Sequence, residues 1–558
     1  MSNLLSQASL VMIPSGYKED VVYSVIPETG AGDLSFTRAS NGTRVNSAGL
    51  VEVVAWNLLQ QSEDLTNGVW TTTSTTITAD NTTAPNGTAT ADKVEISSST
   101  NARVQQIINS NSITSGLPCT FSVYIKSVSG TGNVGIRSGQ TGLSSVFSYT
   151  NQWQRFEWTF NAYALSEIMQ FCNNTLVGGA DSAPSFYAWG CQLNIGSTAK
   201  PYFPTTDRLN VPRLTYQNGG GGCPSLLLEK QSTNLVQYSE QFDVPSASGG
   251  WSQSGVTITA NTIISPDGTQ NADTLYSNVS TYVAVYETIT TTNGATYTAS
   301  VYAKKGNQNF LGLELRGAGS SPDAIFNLNT GVVVSGTGTI ENVGNGWYRC
   351  SITIVANSTS SLFIIGRGSS GAVGDTVYIW GAQLEASSYP TSYIPTTSSS
   401  ATRVADACFK TGITSLIGQT SGTMFVDFIA KGSYDSNNLL MLISAGSGSN
   451  IIYLNLVGGT IEAYIASSAI QQFLYTGATA LGANTRHKLA IGYANNDVVL
   501  YHNGTQLATD TSATIPACSV IRIGDFLGGI YQFGNSINQS ILFPTRLTNA
   551  ELASLTTI

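Results

Sequence analysis

The stretch Phe186–Leu193, FYAWGCQL, returns as Val377–Leu384, VYIWGAQL, and each copy runs on to a Pro-Thr-Thr tripeptide, at Pro204 and at Pro395. Its β-branched and aromatic content reads as a strand. Alternate side chains of a strand share a face. Tyr187, Trp189, Cys191 and Leu193 then fall on one side, with Tyr378, Trp380, Ala382 and Leu384 as their counterparts. That face is apolar throughout and is expected to be sandwich core. An exposed Tyr-Trp pair would instead be a sugar-stacking platform, and that alternative stays open at this point. Gly190 and Gly381 are expected to admit a neighbouring bulky ring.

Working outward, the phrase closes a longer repeat. NLLQQSEDL from Asn57 is answered by NLVQYSEQF from Asn234, and the stretch Thr76–Val94 by Thr257–Leu275. FSVYIKS from Phe121 meets ASVYAKK from Ala299, and QWQRFEWTF from Gln152 meets GWYRCSITI from Gly346. The order is kept while the spacing drifts, as duplication with loop insertions requires. Short β-rich runs alternate with turn chemistry such as Pro85-Asn-Gly and Pro266-Asp-Gly, which suits one jelly-roll sandwich per copy.

The fold class is therefore all-β, a tandem of antiparallel sandwiches: two jelly rolls and a last sandwich of different pattern. The expected division is an N-terminal segment 1–54, sandwich 55–206, connector 207–233, sandwich 234–397, connector 398–420 and sandwich 421–558. In the last unit, Asn495-Asn496-Asp497 and Asn503-Gly504 mark hairpin turns, and Thr548 with Glu551 has the capping-box spacing of a short helix.

Composition agrees. A chain of 558 residues exceeds a single core and divides into roughly three to four domains. Only 10% of residues are charged, 56 are glycine and 9% are aromatic, a turn-rich but folded composition. The net charge of -9 is thinly spread, and Lys304-Lys305 is the longest basic run, so nucleic acid and anionic membranes are poor partners. No apolar run reaches the length of a membrane span, and the N-terminal apolar run lacks a cationic leader. Cys119, Cys172, Cys191, Cys223, Cys350, Cys408 and Cys518 have neither CxxC spacing nor even number. They read as small buried apolar residues in a chain folded under reducing conditions.

The last unit, with its strand His487–Ile491, its LYHNG hairpin at Leu500–Gly504 and its closing run Ile537–Leu552, resembles the laminin-G or concanavalin-A-like lectin sandwich. Asn538 and Gln539 stand where that family commonly has acidic residues, so its calcium site does not carry over. The paired phrases NLLQQSED and NLVQYSEQ, PNGTATAD and PDGTQNAD, WGCQL and WGAQL, with the connectors TRASNGTRVN, CPSLLLE and ATRVAD, resemble the carbohydrate-binding-module-like jelly rolls of bacteriophage structural proteins. The resemblance spans nearly the whole chain. It implies a virion surface protein, a head or tail fibre, spike or decoration, that docks on other virion proteins through its N-terminal segment, binds host or environmental glycans and forms a homotrimer. The alternatives are a purely structural decoration and a polysaccharide depolymerase.

No enzyme is expected. The only histidines, His487 and His502, lie near no G-x-S-x-G or H-E-x-x-H motif, and no short solenoid period of the depolymerase type appears. His487 shares its strand face with Leu489 and Ile491 and reads as a satisfied, partly buried histidine. No catalytic residue, metal site or cofactor is expected. Sugar recognition needs a ring face beside hydrogen-bonding groups, and the loops of the last unit offer these at Tyr434, Asp435, Asn437, Asn438, Asp525 and Phe526.

Overall fold

In the computed structural model the described residues are 2–109, 118–163, 166–216, 220–281, 283–317, 323–366, 372–430, 437–526 and 530–558. They divide into two units, Val53–Leu209 on its own and Met1–Glu52 together with Asn210–Ile558. Among the described residues no helix is long and apolar enough to cross a membrane.

The unit Val53–Leu209 is one antiparallel sandwich. One sheet runs in the order Ser144–Tyr149, Gly132–Ser138, Ser166–Cys172, Arg103–Asn109, Trp70–Thr73; the other runs Gln154–Asn161, Pro118–Ser127, Ser185–Ile195, Ala91–Ile96, Thr75–Thr82. The chain passes repeatedly from one sheet to the other, the jelly-roll habit. Phe121, Val123, Ile136, Phe171, Phe186 and Leu193 fill the space between.

The second copy repeats this order strand for strand. Its sheets run Ser252–Ser254, Ala284–Thr290, Ser360–Gly366, Phe310–Arg316, Ala324–Asn327, Val332–Gly336 and Val256–Ile263, Ala272–Ser277, Thr376–Glu385, Thr296–Lys305, Trp347–Val355, Thr339–Gly344. The last strand of each sheet has no counterpart among the described residues of the first copy. These two, Val332–Gly336 and Thr339–Gly344, are consecutive in sequence, an insertion that accounts for the larger repeat spacing that follows it.

The last sandwich departs from its expected boundaries. Its core sheets contain Ser421–Ala430, Thr485–Ala494, Asp497–His502, Thr505–Asp510 and Asn535–Phe543 on one side, and Val520–Ile523, Asn437–Ser444, Ile451–Val457, Thr460–Ser467 and Ile470–Thr476 on the other. Both sheets are extended by strands from distant chain. Leu10–Met12 and Ser225–Leu228 pair with the two ends of Asn535–Phe543, and Leu34–Thr37 reaches Val520–Ile523 through Ala407–Thr411. The segment 1–54 is thus no free attachment arm, and the connectors 207–233 and 398–420 are no simple linkers. Leu10, Met12, Leu34, Phe36, Leu226, Leu228 and Cys408 are fully buried in the last sandwich's core. Strands of three to five residues bury this apolar surface only by joining a larger sheet.

The same three segments meet in a buried ionic knot. Arg38 Nη1 lies 2.9 Å from Asp406 Oδ1, Arg213 Nη1 lies 2.7 Å from Glu229 Oε2, Arg403 Nη1 lies 3.2 Å from the same oxygen, and Arg213 also pairs with Asp406. All five side chains are essentially inaccessible. Removing one partner from such a group leaves a buried charge uncompensated, at a cost of about 3–5 kcal/mol. The hairpin and helix signals hold: Asn503 and Gly504 have φ of 48° and 80°, and Thr548 with Glu551 forms the capping box. Six of the seven cysteines are buried; Cys223, after a run of glycines, is exposed.

Candidate functional site

The repeated phrase is core, but not by simple alternation. Phe186, Ala188, Cys191 and Leu193 face the space between the sheets, while Trp189 packs on the opposite side with Tyr124 and Tyr202. The expected single face of Tyr187, Trp189, Cys191 and Leu193 is therefore broken in the middle. Ser122 pairs with Gln192 and Tyr124 with Trp189, so Gly190 and Cys191 together oppose Val123. This is a β-bulge with glycine at positive φ, 66° at Gly190. The second copy repeats it: Ser300 pairs with Gln383, Tyr302 with Trp380, and Gly381 has φ 63°. A Cβ on Gly190 would meet Tyr202 at 3.2 Å and one on Gly381 would meet Tyr302 at 3.0 Å, so each glycine does admit a ring.

The tryptophans are covered, not presented. Trp189 is 5% exposed and Trp380 1%. Tyr202 lies 4.8 Å from Trp189 and Tyr393 lies 4.7 Å from Trp380, centroid to centroid. Both tyrosines come from the strap that ends in Pro-Thr-Thr, and the NLLQ or NLVQ phrase ties that strap down. Asn57 Nδ2 donates to the carbonyls of Cys191 and Phe203, both at 3.0 Å. Asn234 Nδ2 does the same to Ala382 at 3.1 Å and Ile394 at 2.9 Å. Tyr202 Oη donates to Glu63 at 3.1 Å and Tyr393 Oη to Glu240 at 3.0 Å. The phrases at the two ends of each copy recur together because they bond to each other. This leaves no sugar platform at either tryptophan.

An accessible aromatic surface lies instead on the outer face of the last sandwich. Along Ile451–Val457 and Thr460–Ser467, Ile452, Leu454, Leu456, Ile461, Ala463 and Ile465 point into the core, which turns Tyr453, Asn455, Glu462 and Tyr464 outward. Tyr453 and Tyr464 are direct cross-strand partners and stack at 5.1 Å. Phe526 meets Tyr453 edge-on at 6.2 Å, and Tyr531 lies 5.5 Å from Phe526. Tyr453, Tyr464 and Phe526 are half-buried, and Tyr531 is exposed. Polar groups sit beside this row. Glu462 Oε1 accepts from Tyr453 Oη at 3.0 Å and from Asn455 Nδ2 at 3.3 Å, and Asn455 Nδ2 also reaches Asn437 Oδ1 at 3.2 Å. Burial, then the Glu462 charge, raises the Tyr453 phenol, so it stays protonated and donating at any ordinary pH.

Of the residues expected to bind a ligand, Phe526 belongs to this row and Asn437 to its polar margin. Asn438 is buried, its N–H donating to Asn455 Oδ1 at 3.1 Å. Asp525 is no ligand residue: it is fully buried and ion-paired with Arg522, whose guanidinium lies 4.9 Å over the Phe409 ring. Burial pushes Asp525 up to about 6 against the opposing pull of Arg522. Tyr434 and Asp435 lie outside the described residues. Sequence reading missed Tyr453, Glu462 and Tyr464. The period-2 alternation in IIYLNLV and TIEAYIAS, apolar against Tyr, Asn and Glu, was the signal that marks them.

The second copy also holds a cleft of about 490 Å³, lined by Gln237, Ser252, Tyr286, Glu287, Thr288 and Thr290 among others. Both Glu287 oxygens accept from the Gln237 N–H, at 3.1 and 3.2 Å, and burial pushes Glu287 up to about 8. Its carboxyl holds the NLVQ phrase, through Gln237, to the strand Ala284–Thr290. The first copy has Gln106 in this role, bonded to the Gln60 backbone at 2.8 and 2.9 Å.

No family model matches the chain, and no curated protein matches it. Among solved structures it is similar to the CBM40 of the Ruminococcus gnavus IT-sialidase, at 18% identity over 25% of this chain and 84% of that one, with TM-score 0.23. It is also similar to domain 4 of AbnA, a GH43 extracellular arabinanase from Geobacillus stearothermophilus in complex with arabinotriose, at 15% identity over 30% and 82% with TM-score 0.23. A third is the CBM22-1-CBM22-2 tandem of Paenibacillus barcinonensis Xyn10C, at 13% identity over 60% and 98% with TM-score 0.21.

Proposed function

We propose that this is a non-enzymatic glycan-binding protein of a virion surface, a fibre, spike or decoration, whose last sandwich takes carbohydrate on the outer face built by Tyr464, Tyr453, Phe526 and Tyr531. The observation that carries the reading is the juxtaposition of this aromatic row with Glu462 and Asn437, both held by the buried Asn455. The C–H face of a sugar ring covers an aromatic face, while its hydroxyls pair with carboxylate and amide groups alongside. The likeness of the duplicated jelly rolls and connectors to those of bacteriophage structural proteins supports the virion placement, and a symmetric homotrimer follows from the habit of fibres and spikes. Because residues 10–37 are woven into the last sandwich, docking on the particle falls to a folded surface and not to a loose N-terminal arm.

A glycan array probed with the full chain tests this. The expected result is binding to a restricted set of oligosaccharides that is lost in Tyr464→Ala while the thermal unfolding profile is kept. An array without signal would return the protein to a purely structural decoration. Release of reducing sugar from a bound polysaccharide would overturn the non-enzymatic reading.

A further inference from the structure

The two histidines of the chain are fifteen residues apart in sequence, and the hairpin of Thr485–Ala494 with Asp497–His502 brings them face to face. His502 pairs with Leu489, so His487 sits one alternation further along the same face of the neighbouring strand. That face is the inner one, shared with Leu489, Ile491 and Leu500, and the pair closes the rim of the core against Phe428, 5.7 Å from His487. The two imidazoles lie 5.1 Å apart at 26°, with Nδ1 of His487 3.0 Å from Nε2 of His502.

The tautomer of His487 follows from Thr485. The Thr485 hydroxyl donates its single proton to the Gly482 carbonyl at 2.5 Å, so its oxygen must accept from His487 Nε2, 2.7 Å away. The proton of the neutral ring is therefore on Nε2, and Nδ1 carries a bare lone pair. That lone pair faces His502 Nε2 and, more distantly at 3.3 Å, Asn503 Nδ2. The charged side chains of the neighbouring positions have other partners: Arg486 pairs with Asp427, and Lys488 Nζ donates to the Thr557 carbonyl at 2.7 Å.

We propose that His487 Nδ1 and His502 Nε2 chelate a divalent transition-metal ion of the copper or nickel type. Metal–imidazole bonds of about 2.0–2.1 Å place two nitrogens about 2.9 Å apart in adjacent corners of a tetragonal ion and about 3.3 Å apart in a tetrahedral one. The 3.0 Å between them is the hydrogen-bond separation of the metal-free pair, so each ring turns its lone pair off the N–N line to bind, and two imidazoles hold copper and nickel more tightly than zinc. On metal entry His502 moves its proton from Nε2 to Nδ1, so both converging nitrogens offer lone pairs and no net proton is released from the neutral pair. Water completes the coordination at the half-buried rim. Thr485 is the outer partner that fixes the ring and its tautomer. The ion would pin the LYHNG hairpin to the strand before it.

The test uses the full chain, free of any affinity tag, in a Cys223→Ser background that removes the one exposed thiol, above neutral pH. Equilibrium dialysis against Cu²⁺, Ni²⁺ and Zn²⁺ salts is expected to give one saturable equivalent with affinity falling from copper to nickel to zinc. The copper spectrum in electron paramagnetic resonance is expected to carry the splitting of two imidazole nitrogens. His502→Gln removes the saturable site, and Thr485→Val, which keeps both ligands, weakens it by about 10- to 100-fold. The spectrum reads the ligands in the unsubstituted protein, so misfolding of a variant does not decide the matter. No saturable copper, copper without two nitrogen ligands, uptake that survives His502→Gln, or unchanged affinity in Thr485→Val overturns the site.

Discussion

The two jelly rolls share a strand order, a glycine bulge and a tyrosine strap, and they differ in how they satisfy the same buried polar positions. In the first, Trp189 Nε1 donates to Thr90 at 3.1 Å. In the second, Asn271 stands in place of Thr90 and turns its amide to Glu240 and Asp267, at 3.2 and 3.1 Å, and Trp380 Nε1 has no partner among the described residues. Burial pushes Glu240 and Glu287 up to about 8 and Asp273 up to about 7. The counterpart of Asp273, Asp92, reaches only about 6, and Gln106 in place of Glu287 does not titrate. Duplication kept the apolar architecture and the acids at Glu63 and Glu240 and at Asp92 and Asp273, while the polar contacts diverged at Thr90 and Asn271 and at Gln106 and Glu287.

The largest way to break this comparison is to remove the rings it has in common. Trp189→Ala and Trp380→Ala are each expected to cost about 3–5 kcal/mol, read separately for each copy as lost hydrogen-exchange protection of its own strands. Glycan binding should persist wherever the last sandwich stays folded. A tryptophan variant of intact stability that loses sugar binding would make the phrase a platform after all.

Next come the bulge glycines. Gly190→Ala and Gly381→Ala place a side chain at positive φ and against a ring, an expected cost of about 1–3 kcal/mol. The loss should be similar at the two, since each Cβ would meet tyrosine rings at 3.0–3.3 Å. A loss in one copy only would show that the bulge is not shared.

A pH dependence sharpens the difference between the copies. Glu287 has an ordinary value of 4.5 and a folded value of about 8, so over that interval the folded chain holds the proton more tightly than the unfolded chain. Stability from this group is full below about pH 4.5 and is lost as pH rises through about 8. Protection of the second copy should therefore fall with rising pH more steeply than that of the first. Glu287→Gln is expected to flatten the slope and Gln106→Glu to introduce one in the first copy. Slopes that ignore both exchanges would remove Glu287 from the account.

The duplication and the sandwich class were legible because each copy repeats long apolar and turn patterns. The bulge was legible only in part. Gly190 marked a close approach, but alternation assigned Trp189 to the wrong side because a bulge adds one residue without changing composition. Strands such as Leu10–Met12 and Ser225–Leu228 are too short to show periodicity, and the partner of Leu10 is Leu542 at the far end of the chain, a pairing no local pattern announces. The histidine pair could have been found by counting back across the Asn495-Asn496 turn, since the register of a hairpin follows from its loop.

We propose that sugar sits on the outer face of the last sandwich and not at the repeated tryptophans. A crystal structure of the full chain soaked with an oligosaccharide selected by the array tests it most directly. A sugar ring stacked on Tyr464 with hydroxyls reaching Glu462 or Asn437 is the predicted result. Sugar bound in the Glu287 cleft or beneath a displaced Tyr202 or Tyr393 strap, with the Tyr453–Tyr464 face empty, would contradict it.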